Sequence, residues 1–231
     1  MILRITICFL SLIIIPFAQI AQAGGSNETS YSVREFDRLF NRAAKTHGVS
    51  EAVLRSICRI ESKGNPYAIN INGIGFQPHN EHEALGLLLN TEKRPWLLTL
   101  NYSDEEPHYS FFRTRKDAQN ALNEVYSNNR RWYVKNPKAN IRKLDMRSVD
   151  IGLMQINHLF HGRHFPDKAS LFNPETNIFY AAKYLRKLLD RHGTLKDAVA
   201  HYHSNTEKYQ AIYLSQFWPI YQKLIGNPSK V

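Results

Sequence analysis

Ser50-Glu51-Ala52-Val53-Leu54-Arg55-Ser56-Ile57-Cys58-Arg59-Ile60-Glu61-Ser62-Lys63-Gly64-Asn65-Pro66 reads as a helix with both ends marked, a capping-type serine before it and Gly-Asn-Pro stopping it. At about 100° per residue, Val53, Leu54, Ile57, Cys58 and Ile60 share one apolar arc, and Glu61 falls near its middle. Arg55, Ser56, Arg59, Ser62 and Lys63 take the other side, so polar positions were available for an ordinary surface glutamate. A carboxylate set among apolar groups loses hydration when charged, holds its proton to higher pH and can then deliver it as a general acid. The plainer alternative is a helix-end glutamate turned to solvent or paired with an arginine. Cys58, on the same arc, reads as a packed core thiol rather than a nucleophile.

Working outward, Ser32-Val33-Arg34-Glu35 is a capping box for a preceding helix that carries Phe36, Leu39, Phe40, Ala43 and Ala44 and ends near Gly48. Behind the central helix, Tyr67 to Ile71 and Ile74 to Gln77 flank Asn72-Gly73, a hairpin signal. A short helix from Asn80 precedes a second hairpin, Trp96 to Leu100 with Tyr109 to Phe112. Thr114 caps a helix striped by Ala118, Ala121, Leu122 and Val125, and Asn129 to Arg147, polar and basic, reads as loop. Asn173-Pro174 opens a helix closed by Gly193, Thr194 opens the next, and a last helix from Glu207 meets Trp218-Pro219 before a short helical turn. The expected fold class is α+β, mainly α, with a small β-hairpin element and a long insertion at about 71–149.

Residues 1–23 read as a signal peptide: Arg4, an apolar run from Ile5 to Ala18 broken by Pro16, and Ala21-Gln22-Ala23. The expected mature chain, 24–231, is one domain with the insertion, without a later stretch apolar enough to span a bilayer. It would keep Cys58 alone, which excludes an intrachain disulfide. The formal charge of +10 suits an anionic polymer, but no nucleic-acid motif is recognisable and the basic residues are scattered, so nucleic acid is not the expected partner. Among ten histidines, His79 with His82 and His161 with His164 lack a third ligand placed by spacing, and no metal or cofactor is expected.

Four stretches carry a family resemblance. Glu61-Ser62 with Gly64-Asn65-Pro66 resembles the Glu-Ser motif of the soluble lytic transglycosylase (SLT) family. Asp150-Ile151-Gly152-Leu153-Met154-Gln155-Ile156-Asn157 is similar to its second motif, Asn173-Pro174 with Asn177-Ile178 and Tyr184-Leu185 to its third, and Ala200 with Tyr202 to its fourth. The resemblance runs from about Val33 to about Phe217 outside the middle segment, and points to the specialised transglycosylases of type IV secretion and conjugation systems. It implies a lysozyme-like, goose-type fold, periplasmic glycan strands of peptidoglycan as substrate, and secretion-apparatus components as possible partners.

Carried over by position, the resemblance makes Glu61 catalytic acid and base and has the Tyr202 hydroxyl orient it, with a core tyrosine as the alternative. Ser62 would bond near the carboxylate or substrate, or only finish the helix; Gly152 would let the backbone approach the sugar, or only turn it. Met154 would line the groove or the core, and Gln155, with a donor and an acceptor, suits an N-acetyl group. Asp150 is given no catalytic role, only capping or turning. His203 stands where the family has asparagine; it would replace the amide as a hydrogen-bond partner or be a surface histidine. The aromatics of the insertion, Trp96, Tyr102, Tyr109, Phe111, Trp132 and Tyr133, read mainly as packing. A lysozyme-type hydrolase and a non-catalytic peptidoglycan-binding scaffold are the competing readings.

Overall fold

The computed structural model describes residues 36–103, 107–132 and 135–226, and is α+β, mainly α. The expected signal peptide, 1–23, and the expected Ser32–Glu35 capping box lie outside the described residues. Along the chain run α1 (Asp37–His47), α2 (Glu51–Glu61), β1 (Ile69–Ile71), β2 (Ile74–Phe76) and α3 (Glu81–Lys93). Then come β3 (Trp96–Asn101), β4 (His108–Phe112), α4 (Arg115–Arg131) and β5 (Lys138–Lys143). The chain continues with β6 (Val149–Ile151), β7 (Ile156–Asn157), α5 (His158–His161), α6 (Pro174–His192), α7 (Leu195–His203) and α8 (Glu207–Gly226). It divides into two compact units: Leu89–Leu144, and the described residues on either side of that stretch.

In the larger unit α1 ends at Gly48, whose φ of 63° is the left-handed conformation that glycine adopts without steric penalty. Ser50 holds the cap position of α2, but its hydroxyl accepts no backbone N–H; Glu51 instead pairs with Arg55 one turn on, at 2.7 Å. Val53, Leu54, Ile57 and Cys58 are fully buried, and α2 packs on α8 while α6 packs on α1 and α7. Asn173 caps α6 by accepting the Thr176 N–H at 3.0 Å, with Pro174 in the first turn, where a missing N–H leaves no bond unmade. The final helix departs from expectation, for α8 continues through Pro219. A proline inside a helix removes one backbone bond; here Phe217 is buried, and Tyr221 stacks on it at 5.5 Å, so side-chain packing carries the helix across the gap.

The sheet of this unit has the order β2-β1-β6-β7, all antiparallel. Asn72 and Gly73 both have positive φ, 54° and 83°, the geometry that a two-residue turn of the Asn-Gly kind requires. Within Leu89–Leu144, α4 packs on the sheet β4-β3-β5 around Leu98, Leu100, Ala118 and Leu122, with Trp96 and Tyr102 against that cluster. β5 corrects the loop reading of Asn129 to Arg147: it pairs with β3 from Trp96↔Lys143 to Asn101↔Lys138, and turns only Ala139 and Ile141 to the core. Two modest apolar residues among basic ones give too weak an alternation to be seen without the partner strand. Trp132 is exposed with the Arg131 guanidinium over its ring at 5.5 Å, and Tyr133 lies outside the described residues. No helix among the described residues is long and apolar enough to cross a membrane.

Candidate active site

The end of α2 and the sheet of the larger unit open a cleft of about 550 Å³, lined among others by Glu61, Asn70, Asp150, Gln155, Asn157 and Tyr202. Glu61 is the last residue of α2, with its side chain 15% exposed: buried enough to be rigid, open enough to meet a ligand. Beneath it Cys58 is fully buried, and loss of hydration pushes its thiol up to about 12, which leaves it inert as a nucleophile.

The cleft floor follows from strand periodicity. In β1 and β6 the outer residues Ile69, Ile71, Val149 and Ile151 face the core, so the central Asn70 and Asp150 face the other way. Those two are Cα partners, and Asp150 is in turn the partner of Asn157, which makes a polar row across three strands. Asn157 Nδ2 donates to Asp150 Oδ1 at 2.7 Å, and Asn157 Oδ1 accepts the Leu159 N–H, capping α5. Asp150, expected only to cap or turn, sits within β6 and lines the cleft. The available signal was Val-Asp-Ile, an acid between two β-branched residues whose alternation puts it opposite the core.

Asp150 is pushed up to about 6 from an ordinary 3.8, mainly by burial and further by the Glu61 charge, against the opposing effects of Asn157 and His203. Because the folded state holds this proton to higher pH than the unfolded chain, folding stability falls as pH rises from about 4 through about 6 and stays reduced above. Asp150→Asn, which keeps the shape and removes the charge, is expected to gain about 2–3 kcal/mol in denaturant melts near pH 8 and little near pH 4. An equal gain at both would disprove the titration.

Between β6 and β7 the chain makes a tight turn held by hydrogen bonds from the Asn177 and Gln155 side chains. Gly152 has φ of 82°, and a Cβ there would lie 2.5 Å from both Asn177 Nδ2 and Leu171 O. Asn177, buried on α6, donates to Ile151 O and Leu171 O at 2.9 Å and accepts the Met154 N–H at 2.8 Å. Gln155 also has positive φ, 46°, and its Nε2 donates to Ala68 O at 3.0 Å and Gly152 O at 2.9 Å. Two carbonyl partners require the amide nitrogen there, so Oε1 is the atom left to accept from a ligand.

Several expected contacts are therefore corrected. Ser62 is fully buried away from the cleft; its hydroxyl donates to Cys58 O and accepts the Gly64 N–H, both at 3.1 Å, which finishes the helix. Gly152 meets Asn177 and Leu171 rather than a sugar, and Met154 is fully buried in the core. Tyr202 lines the cleft, yet its hydroxyl donates to Met154 O at 2.8 Å and makes no hydrogen bond to Glu61. For Gly152, Met154 and Tyr202 the reason is shared, since Asn177 holds the turn by three hydrogen bonds and Tyr202 bonds the Met154 carbonyl, whereas Ser62 is taken up by the end of its own helix.

His203, the last residue of α7, does reach the acid: its Nδ1 is 3.7 Å from Glu61 Oε1. Its ring stacks on Tyr213 of α8, with centroids 4.3 Å apart and planes at 6°. Tyr213 was not singled out from sequence, where it is one aromatic in a helical stripe with Tyr209 and Phe217. At the open rim stand Phe160, 69% exposed, and Tyr184 edge-on to His161 at 4.7 Å.

No curated protein and no solved structure matches the chain. Residues 116–216 match the family model described as the Transglycosylase SLT domain. The matched stretch holds the Gly152–Asn157 turn, Asn177 and Tyr202 but begins after Glu61, so the chain is similar to that family over residues 116–216.

Proposed function

We propose that the protein is an exported lytic transglycosylase that cleaves the β-1,4 bond between N-acetylmuramic acid and N-acetylglucosamine in peptidoglycan, leaving a 1,6-anhydromuramoyl end. Glu61 carries the reading: a carboxylic acid on a helix end, 15% exposed, opening into a cleft of about 550 Å³ lined largely by polar side chains. In its acid form Glu61 gives its proton to the glycosidic oxygen as the bond from that oxygen to C1 breaks. The carboxylate so formed takes the proton of the muramic 6-hydroxyl while that oxygen bonds to C1, and the enzyme returns to its starting state. Gln155 Oε1 is placed to accept from an acetamido N–H, and His203 flanks the acid. The leader-like residues 1–23, the charge of +10 and the resemblance of the motifs favour the periplasm, with a type IV secretion or conjugation apparatus as the machine served.

A second reading, hydrolysis of the same bond, is favoured by Asp150. Two carboxyl groups facing one cleft are the usual equipment of a glycosidase. The products separate the two. Mass spectrometry of muropeptides released from purified sacculi is expected to find ends one water lighter than reducing ends; reducing ends alone would sink the transglycosylase reading in favour of hydrolysis.

A further inference from the structure

We infer that His161 is a substrate-binding residue of the cleft: its Nδ1 accepts from the Tyr180 hydroxyl, so that its Nε2–H is presented to the acetamido carbonyl of a glycan. The inference rests on the glycan reading of the cleft and deepens it by naming a group that selects N-acetylated strands.

His161, the last residue of α5, is half-buried and lines the cleft. Its Nδ1 lies 2.9 Å from the Tyr180 hydroxyl of α6, and among the described residues neither side chain has another hydrogen bond. Both rings are held in place: Tyr180 stands edge-on to Phe165 at 4.7 Å, and Tyr184, one turn further along α6, stands edge-on to the imidazole at 4.7 Å. Burial and the charges of His164, Arg163 and Lys187 push His161 below the usual histidine range, while burial and Tyr184 push the Tyr180 phenol above its own. Near neutral pH the imidazole is therefore uncharged, with one donor and one acceptor nitrogen. Of the two possible acceptors in the pair, an imidazole nitrogen is far more basic than a phenol oxygen, so the bond runs from the Tyr180 O–H to Nδ1 and the ring proton sits on Nε2. Nε2 has no partner among the described residues and is not one of their buried unpaired atoms, so it opens to the cleft that the ring lines. Beside it are Tyr184 and Phe160, the latter 69% exposed. An uncharged donor among aromatic rings suits a group that carries a carbonyl oxygen and a methyl together, which is an acetamide. A carboxylate is better met by a charged donor, and a sugar hydroxyl has no methyl to lay on the rings.

Long-range proton–nitrogen NMR of the histidine rings in the folded protein reads the tautomer directly: the His161 proton is expected on Nε2, and a proton on Nδ1 would overturn the inference. Tyr180→Phe should let that proton spread over both nitrogens in the same spectra, a change that loss of packing alone does not produce. Binding is read in the Glu61→Gln background, where turnover is stopped, with the N-acetylglucosamine tetramer and its deacetylated counterpart as probes. His161→Phe keeps a ring and drops both nitrogens; it should lower the preference for the acetylated tetramer about three- to tenfold, the worth of one hydrogen bond. His161→Gln, with an N–H at similar reach, should restore most of it. An unchanged preference in His161→Phe overturns the inference while leaving Glu61 untouched. If neither tetramer binds even with His161 in place, the glycan reading fails and this inference with it; if Glu61→Gln still digests sacculi, the acid is misassigned and the His161 result stands on its own.

Discussion

Glu61→Gln is expected to lose about 10³–10⁴-fold in muropeptide release while unfolding at the parental temperature. The amide keeps the size of the side chain but holds no transferable proton, and the proposed cycle uses that proton twice, first on the glycosidic oxygen and then back from the 6-hydroxyl. The helix end does not depend on the charge, because α2 is closed by the Ser62 hydroxyl on Cys58 O and Gly64 N, and His203 at 3.7 Å makes only a loose contact with the carboxyl. Activity and stability should therefore part company at this position. Sacculus digestion together with a thermal melt checks both, and a variant that digests as fast as the parent would remove Glu61 from the chemistry.

Gly152→Ala is expected to destabilise the larger unit by about 3–5 kcal/mol, a fall of roughly 10–15 °C in Tm. Two effects add: the positive φ of 82°, which side chains rarely adopt, and a methyl group 2.5 Å from Asn177 Nδ2 and Leu171 O, neither of which has room to retreat. Asn177 cannot swing away without abandoning two backbone carbonyls and the Met154 N–H in a dry interior. The loss should appear as unfolding and not as a change in KM, because Gly152 does not line the cleft. An alanine variant that melts with the parent and binds glycan weakly would restore the sugar-contact role for this glycine.

How far the residues could be read alone depended on how local their causes were. The Asn72-Gly73 turn, the Asn173-Pro174 cap and the glycine ends at Gly48 and Gly193 are set by neighbours a few bonds away, and the structure has them where the sequence puts them. β5 and the continuation of α8 past Pro219 were not legible, since both exist through partners distant in the chain, β3 for the one and the packed aromatic rings for the other. The cleft behaves likewise. Helical spacing placed Glu61 against the apolar arc, but which groups surround it is decided by the pairing of β1 with β6 and by the approach of α7 and α8.

By itself, then, the sequence determined the helix bearing Glu61, the order of the motifs and the α+β class, because side-chain periodicity and turn chemistry act over single turns. The tertiary structure alone decided that Asp150 faces the acid, that Ser62, Gly152 and Met154 serve the frame, and that Tyr202 bonds a backbone carbonyl while Tyr180 bonds His161. A hydroxyl has one proton to donate, and which acceptor takes it depends on distances that only the packed chain sets.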